Sequence, residues 1–313
     1  MEIKLDSESE PFIEYLKKVG PVDITQPLDT IRLYNEIGAE KLKGKFPFRG
    51  TKEEAFISSV DNFTQYDIPV TVLKPPQHKI CKHIVIFFHG GGFTFGSRNT
   101  HMKFTEMICQ LCDCVVVNVE YRLSPEHKFP ACYVDAETVV RWCLDNKKKL
   151  SGSDSALVGV AGDSAGANIS ASVCHLVKGL DFQILIYPSL DMSPNSKYPS
   201  YLTYGESFML TKELMLWFAN NFLNSLKDAE DPLCSPMKRN CFTGLPPALF
   251  IVSEIDPLAD HSREYNRKLK SGGVKTQLVL LKGTIHGFAA MPGHFKKTTD
   301  KSLKLISTFL SRL

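Results

Sequence analysis

Six short, largely apolar runs constrain this chain more than any other feature. They occupy residues 84–88, 114–119, 156–161, 182–187, 248–252 and 276–281. Each is too short for a helix of ordinary length, and the runs are rich in Val, Ile, Leu and Phe. A strand with one wet face alternates apolar and polar residues. These runs barely do, so both of their faces must be covered. Between them lie segments with helical spacing, among them 131–146, 165–178 and 262–271. Strand–helix alternation of this kind predicts an α/β fold: a mostly parallel central sheet with helices on both faces. The segment 63–73 reads as antiparallel strand added at one edge.

Two segments break the alternation. Residues 1–60 carry helical patterns such as Phe12, Ile13, Leu16 and Val19. Residues 191–245 are rich in Pro, Ser and Asn and contain a helix-like stretch at 214–222. An insertion between sheet strands, at the edge where function sits, forms a lid or cap. The expected organisation is therefore an N-terminal cap segment (1–60), a first part of the core (61–190), a cap insertion (191–245) and a second part of the core (246–313). A chain of 313 residues accommodates one large α/β domain plus such a cap.

Composition narrows the partners. Lys and Arg number 37 against 34 Asp and Glu, a net charge of +3, which leaves no electrostatic footprint for nucleic acid. No stretch approaches the roughly 18 apolar residues of a membrane span. The start, MEIKLDSESEPF, lacks the basic and apolar regions of a signal peptide. The nine cysteines, an odd number, read as reduced thiols, and a cytoplasmic location is expected. The last three residues, Ser311-Arg312-Leu313, are similar to a peroxisomal address, the alternative location. They also fit the end of an amphipathic helix that turns Leu303, Ile306, Phe309 and Leu310 inward.

The chemistry concentrates in four places. Gly162-Asp163-Ser164-Ala165-Gly166 follows the third apolar run and opens a helical segment. A G-x-S-x-G sequence between strand and helix makes a sharp elbow that exposes the serine hydroxyl above the sheet. His89-Gly90-Gly91-Gly92 follows the first run, and its glycines free backbone N–H groups from side-chain obstruction. Those of Gly91 and Gly92, with that of Ala165, would form an oxyanion hole. No Lys-Ser/Thr follows, so a phosphate loop is disfavoured.

A serine nucleophile needs a base, and the base needs an orienting carboxylate. The elbow fold arranges them in the chain order Ser, acid, His. Asp256 follows the fifth run and His286 the sixth, in a loop flanked by Gly283 and Gly287. Ser164, Asp256 and His286 are thus the expected catalytic set. His175, His261 and His294 compete as bases, and Glu254 and Asp260 as acids.

Together these residues resemble the hormone-sensitive-lipase family of α/β-hydrolases, most closely its arylacetamide deacetylase-like and microbial carboxylesterase members. The resemblance rests on His89-Gly90-Gly91-Gly92-Phe93, the run from Tyr121 to Ala131, Gly162 to Asn168, Asp256-Pro257-Leu258 and His286-Gly287-Phe288. It spans about residues 65–313, in the family's order. Ala167 stands where many members have Gly, and the apolar anchor of the membrane-bound deacetylases is absent at the start. The resemblance implies a serine carboxylesterase acting on small to medium acyl or aryl esters, and a broad cap with a small pocket predicts short acyl chains ahead of long triglycerides. The resemblance implies no cofactor and no metal. Amide hydrolysis, lipid-ester hydrolysis and non-catalytic ligand binding on the same fold are the alternatives. The oligomeric state is left open.

Other features read as structural. Cys109, Cys112 and Cys114 lack the partner pair of a zinc site and read as core thiols. Asp163 reads as an acceptor for loop hydrogen bonds. Arg122 and Glu126 read as one buried charge network behind the oxyanion loop. Phe208, Met209, Trp217 and Phe218 in the cap are expected to pack its core and to line an apolar substrate pocket.

Overall fold

All six apolar runs become strands of one sheet. The computed structural model describes residues 3–61, 64–76, 80–193, 196–206 and 208–313. The chain opens with helices α1 (Ser9–Val19) and α2 (Leu28–Leu42), followed by strands β1 (Thr51–Asp61), β2 (Thr64–Lys74) and β3 (His83–Phe88). Then come α3 (Arg98–Leu111), β4 (Val115–Val119), α4 (Ala131–Asp145), α5 (Lys147–Ser151), β5 (Leu157–Asp163), α6 (Ala165–Leu176) and β6 (Phe182–Ile186). Two short helices follow, α7 (Pro199–Tyr204) and α8 (Lys212–Phe222). The chain ends with β7 (Ala248–Ile255), α9 (Ala259–Ser271), β8 (Thr276–Ile285) and α10 (Lys296–Leu310).

The strand order is β1-β2-β4-β3-β5-β6-β7-β8. The β1–β2 and β2–β4 pairs are antiparallel, and the rest are parallel. Alternate side chains of each strand feed two separate cores. Ile84, Ile86 and Phe88 of β3 join the face covered by α4, α6 and α9. Val85 and Phe87 join the opposite face, with Phe12 of α1, Phe104 of α3 and Ile306 of α10. Every residue of β3 and β4 is buried, which is why their sequences show no alternation. Each large side chain so enclosed contributes roughly 1.5–3 kcal/mol.

The edge differs from the sequence reading. Residues 51–60, assigned to the N-terminal cap segment, belong to the edge strand β1. It turns Ile57 inward and leaves Phe56 67% exposed. A strand with one wet face lacks the continuous apolar signature of the central strands. Phe63, the expected start of the edge strand, lies outside the described residues.

Behind the β3 loop the expected single charge network is two. Arg122 lies alongside Asp135 of α4, with Nε–Oδ1 at 3.0 Å, and its guanidinium stacks 4.0 Å over Tyr66. Glu126 sits in an exposed turn and takes two 2.7 Å bonds from Arg32 of α2. Arg122 faces α4 with its side chain largely covered, whereas the turn at Glu126 is exposed and faces α2. The cysteine cluster is core: the Cys112 thiol donates to the Leu303 carbonyl, and Cys109 and Cys114 are fully enclosed. Among the described residues no helix is long and apolar enough to cross a membrane.

The sheet's order reverses between β3 and β5, because β4 lies on one side of β3 and β5 to β8 on the other. Phe88 pairs with Gly162, and Asp163 with Ile186, so the loops after these strands emerge together. A crevice outside the carboxyl ends of strands at such a switch point is where α/β sheets bind ligands.

Candidate active site

Ser164 occupies the turn between β5 and α6 with φ 52° and ψ −115°, a strained conformation for a residue with a side chain. The turn is held by Ser164 N–H donating to Ile186 O at 2.9 Å and by Asn168 N–H donating to Ser164 O at 3.1 Å. It also needs close approach. A Cβ on Gly166 would run into the Phe88 and His89 carbonyls, and one on Gly162 would run into Gly166. The small residues of the motif are therefore required by packing.

His286 follows directly on β8, and Asp256 directly on β7. His286 Nε2 lies 2.9 Å from Ser164 Oγ, and its Nδ1 lies 2.7 Å from Asp256 Oδ2. Asp256 is fully buried, and its other oxygen accepts the Leu258 N–H at 2.8 Å. The carboxylate fixes Nδ1 as the protonated nitrogen, which leaves Nε2 free to accept the serine proton.

Neighbouring groups fix this imidazole in place. Ser253 Oγ donates to Ile285 O at 2.9 Å, and Ile285 N–H reaches Ser9 Oγ at 3.3 Å. Thr284 Oγ1 donates to Asp6 at 2.7 Å. The Tyr187 ring lies 4.6 Å from the His286 ring, and its hydroxyl donates to Asp163 at 3.2 Å while accepting the Ala289 N–H. Sequence reasoning missed Asp6, Ser9 and Tyr187. The only available signal for Tyr187 is an aromatic residue closing the run next to the elbow strand.

Beyond β3, the loop turns on Gly91 O, which accepts from Thr94 and Phe95 N–H. Gly92 has φ 59°, and a Cβ there would strike the Phe218 ring. Gly91, Gly92 and Ala165 all border the cavities at Ser164. The Ala165 N–H lies in the first turn of α6, where a helix has no acceptor of its own. Asp163 accepts the Gly90 N–H at 2.8 Å and lies 3.2 Å from His101 Nε2. Burial opposes its charge, but His101, the Gly90 N–H and His89 outweigh burial and hold this carboxyl below the usual range. His89 is a loop residue. Burial lowers its pKa to about 4, its Nδ1 lies 2.8 Å from Gly90 O, and its ring stacks on Tyr121 at 4.3 Å.

The competing residues are engaged elsewhere. His261 accepts the Leu190 N–H and meets Tyr201 OH at 2.8 Å; burial lowers its pKa to about 4. His175 meets Tyr265 OH, and His294 donates to Glu8 O. Glu254 pairs with Lys282, and Asp260 accepts the Ser200 N–H and pairs with Arg263.

Two cavities meet at Ser164. One of 430 Å³ is lined chiefly by Tyr201, Leu210, Met215, Leu216, Ala219 and Leu258. The other, of 90 Å³, is lined by His286, Gly287, His101, Met209, Leu210 and Leu214 among others. Phe218 borders both. Of the four expected pocket residues, Met209 and Phe218 line these cavities. Phe208 and Trp217 do not. The Phe208 ring packs 6.3 Å from Tyr204, and Trp217 packs 5.5 Å from Phe218. At about 100° per residue Trp217 points roughly 160° away from both Met215 and Ala219, so it lies on the far side of α8 from the face they turn toward Ser164. The i, i+3, i+4 spacing of Met215, Phe218 and Ala219 was the signal to follow.

Known proteins resemble this chain in sequence and fold. A family model described as "alpha/beta hydrolase fold" matches residues 85–290. An ethyl acetate hydrolase of Pseudomonas putida is 29% identical over 92% of this chain and 91% of its own length. The carboxylic ester hydrolase LipN of Mycobacterium tuberculosis is 33% identical over 74% of this chain, which spans only 64% of that relative's length. A crystal structure of an esterase from Pyrobaculum calidifontis superposes with a TM-score of 0.88 at 30% identity, covering 98% of this chain and 99% of the other. By sequence match, sheet order and elbow together, the chain belongs to the alpha/beta hydrolase fold family.

Proposed function

We propose that the protein is a serine carboxylesterase. The observation that carries this reading is the hydrogen-bonded series Ser164–His286–Asp256 opening into a cavity of 430 Å³. The ester hydrolases and esterase among its relatives support the same class.

In this reading His286 Nε2 takes the Ser164 proton as Oγ bonds to the ester carbonyl carbon. The carbonyl oxygen becomes an anion held by the N–H groups of Gly91, Gly92 and Ala165, each such donor worth roughly 2.7–4 kcal/mol. The ester C–O bond then breaks, and His286 returns its proton to the leaving alcohol. Water, deprotonated by the same nitrogen, attacks the acyl carbon; the bond to Ser164 Oγ then breaks, His286 returns the proton to Oγ, and the carboxylic acid leaves. Asp256 stabilises the imidazolium without taking its proton. The cap in this reading is made of α1, α2 and residues 191–245, and it shields the acyl-enzyme from bulk water. Cytoplasmic location belongs to the same reading, supported by nine free cysteines, eight of them buried.

The test is hydrolysis of ethyl butyrate, followed by acid release, in wild type and Ser164→Ala. Loss of at least about 10³-fold in kcat is expected. An unchanged rate refutes the assignment.

A further inference from the structure

We infer that His101 is a positioning residue of the reaction: through Asp163 it holds the glycine loop after β3 and the ring behind His286 in register with Ser164. This rests on the esterase reading and adds a residue beyond Ser164, Asp256 and His286. Asp163 joins three parts of the site. Its Oδ1 accepts the Gly90 N–H at 2.8 Å, and its Oδ2 accepts the Tyr187 hydroxyl at 3.2 Å. That hydroxyl accepts the Ala289 N–H at 2.9 Å, and the Tyr187 ring lies 4.6 Å from the His286 ring. The backbone of Asp163 leads directly into Ser164. One carboxylate thus touches the loop of Gly91 and Gly92, the strained turn and the support of the imidazole.

His101 is the basic side chain that meets this carboxylate. It projects from α3, whose start is fixed by Ser97 Oγ accepting the Asn99 and Thr100 N–H groups at 3.1 Å. His101 Nε2 lies 3.2 Å from Asp163 Oδ1 and meets no other acceptor among the described residues. Nδ1 lies 2.9 Å from Thr100 Oγ1, and the ring stacks 5.7 Å from that of His89. Both side chains of the pair are only 4% exposed. A carboxylate so enclosed keeps its charge only while it is paired. Burial works against the charge of Asp163, and His101 is foremost among the groups that overcome it.

The loop does not hold its position alone. Gly91 and Gly92 have φ of 119° and 59°, and successive glycines restrain a backbone little. A Cβ on Gly90 would run into the Asp163 carboxyl, so the loop rests directly on that group. Without His101 the carboxyl takes a proton or turns, and Gly90 moves with it. Displaced N–H donors cost rate, because they are aimed at charge that exists only in the transition state. Binding of the uncharged ester is spared.

The test compares wild type, His101→Leu and His101→Gln in kcat and KM for ethyl butyrate and in Ki for a butyl trifluoromethyl ketone. The ketone carbon bonds to Ser164 Oγ, the serine proton passes to His286, and the ketone oxygen becomes an anion facing the same N–H groups. His101→Leu should lower kcat about 30-fold, leave KM within about twofold and raise the ketone Ki about 30-fold in step. His101→Gln keeps an N–H donor of similar reach and should recover kcat to within about fivefold of wild type. If His101→Leu does not fold, His101→Asn takes its place, since its amide is too short to reach Asp163, and the same split is expected. A merely structural role lowers kcat through loss of folded protein and leaves the ketone Ki where it was. That outcome, an unchanged kcat in His101→Leu, or equal losses in His101→Leu and His101→Gln, overturns the inference and leaves the esterase reading standing. Wild type without Ser164-dependent hydrolysis overturns that reading itself.

Discussion

The backbone of Ser164 costs on the order of 1–3 kcal/mol, and its neighbours offset that cost at three named points. The Ile186 carbonyl takes its N–H, Gly166 lets α6 approach Phe88, and Asp163 ties the elbow to Gly90. Gly166→Ala should therefore destabilise by more than about 3 kcal/mol or prevent folding, since the added Cβ meets backbone that has nowhere to move. A chaotrope-unfolding midpoint within error of wild type would contradict this. Asp256→Asn should fold normally and lose about 10³–10⁴ in kcat, because the amide favours the wrong histidine tautomer. That Ser164, Asp256 and His286 come together was legible in the sequence because glycine spacing and strand ends mark their positions. Tyr187 was not legible: it acts through contact with His286 and Asp163, partners 99 and 24 positions away (286 − 187 and 187 − 163).

Individual elements are positioned by contacts that no local pattern announces. The segment before α1 and its first residue clamp the histidine loop from outside, through Asp6 to Thr284 and Ser9 to Ile285. Glu8 caps the start of α10 by accepting from the Lys297 and Thr298 N–H groups. Asp6→Ala should lower kcat roughly fivefold to tenfold with little change in KM, since a small displacement of the base costs rate more than binding. Equal loss in KM and kcat, or none in either, would argue against a positioning role. The Lys128 ammonium takes the Asn220 and Leu223 carbonyls at the end of α8, anchoring the cap helix to the core. The central strands were readable because full burial removes polar residues from both faces. Edge strand β1 was not, because one face is wet and its apolar pattern resembles that of a surface helix.

At the scale of the whole molecule, a single reversal of strand order gathers the loops bearing Gly91, Ser164, Asp256 and His286 at one edge of the sheet. The near-neutral charge would suit the uncharged ester of the proposed reaction. The core also carries buried histidines that make the fold sensitive to acid. Burial lowers the pKa of His89 and His261 to about 4, below the ordinary value near 6.5. The unfolded chain therefore binds more protons between those values. Their contribution is complete above about pH 6.5 and is lost as pH falls toward 4, on the order of 3 kcal/mol for each. Asp163, held below the usual carboxylate range, adds loss in the same direction at still lower pH. Urea midpoints at pH 7.5, 5.5 and 4.5 should fall steadily; a flat series would mean these histidines are charged or solvated in the fold.

The central claim is that His286 activates Ser164. The most direct test is the intact mass of the protein after reaction with a fluorophosphonate, followed by peptide mapping. Wild type should gain one phosphonyl group per chain, on the peptide containing Ser164, and His286→Ala should gain almost none in the same time. An unlabelled wild type, or a label on any other residue, would contradict the account.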